Sequence, residues 1–201
     1  LSYIVLTTVL LLAFLFIFYP LFVSFTTKLS PTIFAKKIAK VALFGFSTSS
    51  SAATLPMNIE TAEKELGISE EIASFILPLG MTINMDGTAL MQVVATIFIA
   101  GVAGYTVHLP QLILIGLLAV IASVGTPAAP GAGAIILFTI LSGVGFTNPI
   151  ALSVYALILA INRPIEMLVT ALNVTGDTAC AMVVCKSENS LNEEVFNTVS
   201  K

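Results

Sequence analysis

Charge is what this sequence has least of. Asp, Glu, Lys and Arg make up 9% of its 201 residues, where a soluble domain carries about 25%. From Ile72 to Val107 the sole charged side chain is Asp86, and from Leu109 to Asn162 there is none. Tryptophan is absent and histidine occurs once, as His108 beside Pro110, where a loop position needs no chemistry. The net charge of −3 offers no basic patch, and aromatic residues do not interleave with the lysines. That excludes a nucleic-acid surface. The two cysteines, Cys180 and Cys185, stand about 140° apart around a helix with no histidine near them. They are read as buried or reduced thiols, not as a metal site.

What is present is apolar: 57% of the residues are hydrophobic and the mean hydropathy is +1.05. The chain is therefore read as an all-α integral membrane protein with room for about five or six membrane-entering segments. Leu1 already lies in an apolar run with no cleavage site after it, so the chain is expected to be a fragment of a longer protein, cut on its N-terminal side.

Residues 1–28 read as one transmembrane helix, kinked at Pro20. Residues 31–63 carry Ser47-Thr48-Ser49-Ser50-Ser51 mid-segment, too polar for the centre of a short span. A re-entrant hairpin fits, since irregular backbone at membrane depth is tolerated where protein surrounds it. Residues 70–106 read as a second span broken at Asn84-Met85-Asp86-Gly87-Thr88, where Gly87 weakens the helix. Residues 110–146 contain Gly125-Thr126-Pro127-Ala128-Ala129-Pro130-Gly131-Ala132-Gly133 between runs too short to span, which reads as a second hairpin. Residues 148–185 form the last span. On a helical wheel its Asn162, Glu166, Thr170, Asn173 and Asp177 share an arc of about 80°, a polar stripe that cannot face lipid. Arg163 and Glu166, three apart, could neutralise each other. Residues 186–201 make a polar, mobile tail.

With both hairpins returning to their own side, Lys28, Lys36, Lys37, Lys40, Lys64, Lys186 and Lys201 fall on one face. The excess of positive charge makes that face, and the C-terminus, cytoplasmic. Hairpin, broken span, hairpin and striped span then form an inverted repeat, with one hairpin entering from each side. The repeat brings Asn84–Thr88 and Asn173–Asp177 near one midplane. A carboxylate such as Asp86 there costs about 2.5–3.5 kcal/mol on insertion scales. Freed backbone carbonyls beside it make a cage for a small hard cation. A plain glycine kink with a satisfied aspartate is the alternative.

The hairpin ending in Ala53-Thr54-Leu55-Pro56, the Asn84–Thr88 motif, the Pro130-Gly131-Ala132-Gly133 tip and Asn173–Asp177 occur in one order. On these motifs the sequence resembles the C-terminal half of the glutamate transporter family, the dicarboxylate/amino acid:cation symporters. The resemblance implies a trimeric symporter of the cell membrane, multi-pass and not an enzyme. It would be coupled to Na⁺ or H⁺ and work by an elevator motion. This chain would be the transport domain plus one preceding span, with no cofactor beyond Na⁺ as coupling ion. The spans that build the scaffold and the homotrimer contact would lie outside it.

Carried over position by position, one sodium site would use carbonyls of Gly80, Asn84 and Asn173 with the carboxylate of Asp177. A second would use Thr82, backbone at Ser123, Val124 and Thr126, and the sulfur of Met85. Asp86 with the Asn84 side chain would serve a third whose remaining ligands lie outside the fragment. Substrate would touch Ser50, Ser51, Thr88, Ala129, Gly133, Glu166, Thr170 and Asn173, with the outer hairpin as extracellular gate. The departures from the family pattern are Glu166 where an Asp holds the substrate ammonium, Val169 where acid-selective members carry Arg, and Asn162 for Asp. At the second tip Ala128 replaces a common Gly, beside Pro127. Val169 turns the expectation to a small neutral amino acid such as alanine, serine or threonine. Acidic amino acids or C4-dicarboxylates, coupled to protons or sodium, are the alternative. From other classes come an intramembrane aspartyl protease using Asp86 and Asp177 as a dyad, a channel lined by the hairpin tips, and an inactive split product.

Overall fold

The computed structural model describes residues 2–198. Among them every regular element is helical. The first span is an uninterrupted apolar helix of 26 residues, Ser2–Thr27. It consists of α1 (Ser2–Ala13), a π-helical stretch (Phe14–Phe18) and α2 (Tyr19–Thr27). The wider π turns sit immediately before Pro20, which withholds one backbone donor. Across them Phe16, Ile17 and Phe18 stay exposed, whereas Tyr19 is only 2% exposed.

α3 (Pro31–Thr48) and α4 (Ser51–Lys64) form a helix pair. Ser49 closes α3 in the left-handed region, φ 52°, and Ser50 starts α4 by accepting from Ala53 N at 3.2 Å. A serine cap of this kind contributes about 1 kcal/mol. The next span divides into α5 (Glu70–Ile83) and α6 (Asp86–Val102), broken at Asn84 and Met85. Gly87 is therefore not the breaker: it lies in the first turn of α6. Its lack of a side chain serves packing, since a Cβ there would stand 2.9 Å from Val169 O.

α7 (Leu109–Val124) and α8 (Ala132–Gly143) form the second pair, around the glycine- and proline-rich turn. His108 precedes α7, its backbone N–H bonded to Gln111 Oε1 at 3.2 Å. The segment expected as one last span is two helices, α9 (Pro149–Ile161) and α10 (Arg163–Ser187). Pro164 lacks the donor that would close the turn across Asn162. The tail expected to be mobile is packed against the helices as far as Phe196. α11 (Glu193–Asn197) docks with Phe196 fully buried, and Asn192 N donates to Gly67 O at 2.8 Å. Lys201 lies outside the described residues. Both cysteines are free thiols, Cys185 buried and Cys180 exposed.

Among the described residues three helices are long and apolar enough to cross a membrane: Ser2–Thr27, Glu70–Val102 taken across its break, and Arg163–Ser187. The last is the axis of the molecule, packed by α2, α3, α4, α5 and α6. Lipid tails are as apolar as leucine, so close approach and polar bonds, not burial from water, hold such helices together. Gly45 of α3 supplies the close approach, a Cβ there falling 3.2 Å from Val174 Cγ2. Asn58 of α4 supplies the bonds, donating to Val174 O at 3.2 Å and accepting from Thr178 Oγ1 at 2.5 Å. One apolar cluster surrounds α10 with α3, α4 and α5. A second joins α6, α7, α8 and α9.

Candidate functional site

The serine turn, the glycine–proline turn, the start of α6 and the middle of α10 converge on a cavity of about 30 Å³. That is room for a water or two. Ser51, Thr88, Ala129 and Gly133 line it from three elements, and Glu166, Val169, Thr170 and Asn173 from α10. Ser50 does not line it. Its hydroxyl instead donates to Ala128 O at 2.9 Å, joining the two tips. The polar stripe of α10 is thus buried against protein, as lipid avoidance requires.

Asn173 ties that stripe to the break. Its Oδ1 accepts from Gly87 N at 2.8 Å, and its Nδ2 donates to Met85 Sδ and Thr88 Oγ1, each at 3.2 Å. Only a glycine at 87 lets the α6 backbone come this near. Glu166 is the one charged residue on the cavity wall. Its Oε1 is buried without a hydrogen-bond partner, and so are Ser49 Oγ on the same wall and Gln92 Oε1 behind it. Arg163 is exposed and does not neutralise Glu166. The three ion pairs among the described residues lie elsewhere, at Lys40–Glu65, Lys64–Glu60 and Lys186–Glu193. Asn162 is engaged by the first span: it accepts from the Tyr3 hydroxyl at 2.5 Å and donates to Met91 Sδ at 3.0 Å.

The residues expected at cations fall into two groups. Gly80, Asn84 and Asp177 come together: Asn84 Nδ2 donates to Asp177 Oδ1 at 3.0 Å, and a Cβ at Gly80 would stand 2.7 Å from that oxygen. Asp86 lies beside them, and its partner is within this chain, for the Tyr19 hydroxyl donates to Asp86 Oδ2. Asp86 and Asp177 thus hold separate partners and share no hydrogen bond, unlike a dyad sharing a proton. In the other group Ser123 O accepts from Thr126 N at 3.0 Å. Met85 and Thr126 also line the cavity. Thr82 and Val124 are exposed, and the Thr82 hydroxyl bonds to Leu79 O at 2.7 Å within its own helix.

Tyr19, Ser49, Met91 and Gln92 are the site residues that the sequence reading missed. Tyr19 left one signal: it is the sole polar side chain between Val9 and Val23. Ser49 was hidden among five consecutive hydroxyl residues, whose directions only the turn sets.

Residues 1–187 match the sodium:dicarboxylate symporter family. An excitatory amino acid transporter of Caenorhabditis elegans is 36% identical over 82% of this chain and 32% of its own length. Human excitatory amino acid transporter 5 is 38% identical over 84% of this chain and 30% of its own length. Human excitatory amino acid transporter 2 is likewise 38% identical, over 84% and 29%. The chain spans about a third of the length of these curated relatives.

Proposed function

The chain belongs to the sodium:dicarboxylate symporter family, and on that premise we propose that it is the substrate-holding part of a sodium-coupled amino acid symporter of the cell membrane. The observation that carries the reading is the electrostatics of the polar centre, where Asp177 is buried and Asp86 half-buried. Asp86 and Asp177 meet no Lys, Arg or His side chain among the described residues, and each has one neutral hydrogen-bond donor. Two carboxylates at membrane depth need countercharge, and oxygen-rich surroundings suit a small hard cation. Gly80, Asn84, Asn173 and Asp177 would hold one sodium ion. Thr82, Met85, Ser123, Val124 and Thr126 would hold a second, and Asp86 with Asn84 a third. Each positive charge moved inward gains about 2.3 kcal/mol per 100 mV, which concentrates the substrate.

The substrate we propose is a small amino acid with a neutral side chain. Its ammonium would meet Glu166, and Ser51, Thr170 and Asn173 would take its carboxylate. With Val169 apolar and Arg163 turned out, a second carboxylate would find no cation on the cavity wall. A lost charge-assisted bond of about 1.5–3 kcal/mol is worth roughly 10- to 100-fold in affinity. A cavity this small admits no amino acid unless a tip moves, and the turn between α7 and α8 would be the gate. Re-entrant placement of both helix pairs, a cytoplasmic C-terminus, an elevator motion and a homotrimer built outside these residues belong to the same proposal. The family's own description and the named relatives favour a second reading, in which a dicarboxylate or acidic amino acid is carried.

Competition uptake into liposomes separates the two, using the full-length protein with sodium or choline outside. Alanine or serine should compete strongly, and aspartate should compete only after Val169→Arg. Tight aspartate competition by the native protein, unchanged in Val169→Arg, would favour the second reading. Equal uptake in choline would remove the sodium assignment.

A further inference from the structure

We infer that Tyr19 is a positioning residue for the coupling ion: its hydroxyl fixes the Asp86 carboxylate in the orientation that binds the cation. The inference rests on the reading above that Asp86 serves sodium. Tyr19 belongs to the first span, which also reaches the polar stripe through the Tyr3 hydroxyl on Asn162. The π-helical stretch ending at Phe18 leaves three apolar residues facing outward and brings Tyr19 into the interior. π turns inside α-helices are frequent at functional sites. The Tyr19 hydroxyl is the hydrogen-bond donor that reaches the Asp86 side chain among the described residues.

A second residue makes the approach possible. A Cβ on Gly176 of α10 would stand 2.3 Å from Tyr19 Oη, 2.7 Å from its Cζ and 2.8 Å from Asn84 Nδ2. Only glycine there lets the phenol lie against α10 and still reach Asp86. The first span and the last span therefore set one carboxylate between them, at the break between α5 and α6. A ligand group already held in place loses less freedom when the ion arrives, so the ion binds more tightly.

Tyr19→Phe keeps the ring and removes the hydroxyl. The sodium dependence of uptake, measured on the full-length protein in liposomes, should shift about tenfold to higher sodium. The deficit should shrink as sodium saturates. Gly176→Ala keeps the hydroxyl and displaces the ring, so it should shift sodium dependence in the same direction. The sodium-induced rise in thermal midpoint in detergent reads the same affinity without transport, and it serves for any variant that folds poorly. Variants that lose thermal stability but keep the native sodium dependence would make Tyr19 merely structural and overturn the inference. Tighter sodium binding in Tyr19→Phe would overturn it too, by making the hydroxyl a competitor of the ion. Native uptake indifferent to sodium would sink the coupling assignment itself, an outcome distinct from either.

Discussion

The helix pair α3–α4 and the helix pair α7–α8 both place a turn on the same cavity, but they are fastened to the molecule by different means. α3–α4 is bound by polar contacts along its length. Asn58 bonds to two groups of α10. At its far end the Lys37 amine donates to Glu65 O at 2.8 Å, Val195 O at 3.0 Å and Phe196 O at 2.7 Å. Burial holds that amine below the ordinary lysine range, with the Glu65 carboxylate opposing the shift. Three donors meet three carbonyls, so the amine is fully used. The pair α7–α8 rests on apolar packing against α6 and α9. Its outer face exposes Leu112, Ile113, Leu117, Val120, Ile121, Ile135 and Phe138. Its polar ties to other elements are single bonds: Ser50 Oγ to Ala128 O, Gln92 Nε2 to Gly133 O, and Tyr155 Oη to Ile135 O. Apolar surfaces slide past one another at low cost, whereas directional bonds must break, so the second pair is the less firmly held of the two.

Three substitutions test that contrast by the thermal midpoint of the purified protein in detergent. Lys37→Met should cost the most, about 3 kcal/mol, because three carbonyls lose a charged donor in one step. It should also free the tail, making residues after Cys185 sensitive to protease. A change within error would mean that α11 is not what anchors the pair. Asn58→Ala should cost about 1–2 kcal/mol, the range for interhelical bonds in model membranes. Tyr155→Phe should cost least, below about 1 kcal/mol, since its bond is partly solvated and the ring still packs. If Tyr155→Phe proved more damaging than Asn58→Ala, the contrast between the two pairs would be inverted.

The reading from residues was sharpest where one side chain type stands alone in an apolar run. Asp86, Glu166 and Asp177 announced themselves because a carboxylate among aliphatic residues has few explanations. The stripe on α10 was legible because helical periodicity places Asn162, Glu166, Thr170, Asn173 and Asp177 together whatever surrounds them. Gly87 was misread, because a glycine in an apolar tract signals either a weak helix or a close contact, and sequence does not distinguish them. The docked tail was missed for a related reason. Lys37 looked like one more cytoplasmic charge, and its partners are backbone carbonyls far along the chain that composition does not reveal. The pairing of Arg163 with Glu166, plausible at a spacing of three, fails because Arg163 opens the helix after the Asn162 break and faces outward.

The sequence alone determined that this is a helical membrane protein with polar groups inside apolar segments, because hydropathy and periodicity are local properties carried by each segment. Its motifs also carried the family. Tertiary structure decided which of those groups meet: Asn173 with the Gly87 backbone, Asn84 with Asp177, and Tyr19 with Asp86 past a bare Gly176. It also decided that Glu166 sits on the cavity wall without a cation beside it. Contacts of that kind depend on where separate helices cross and how they are rotated about their axes. A one-dimensional pattern limits that rotation to a face, and only packing selects the atom.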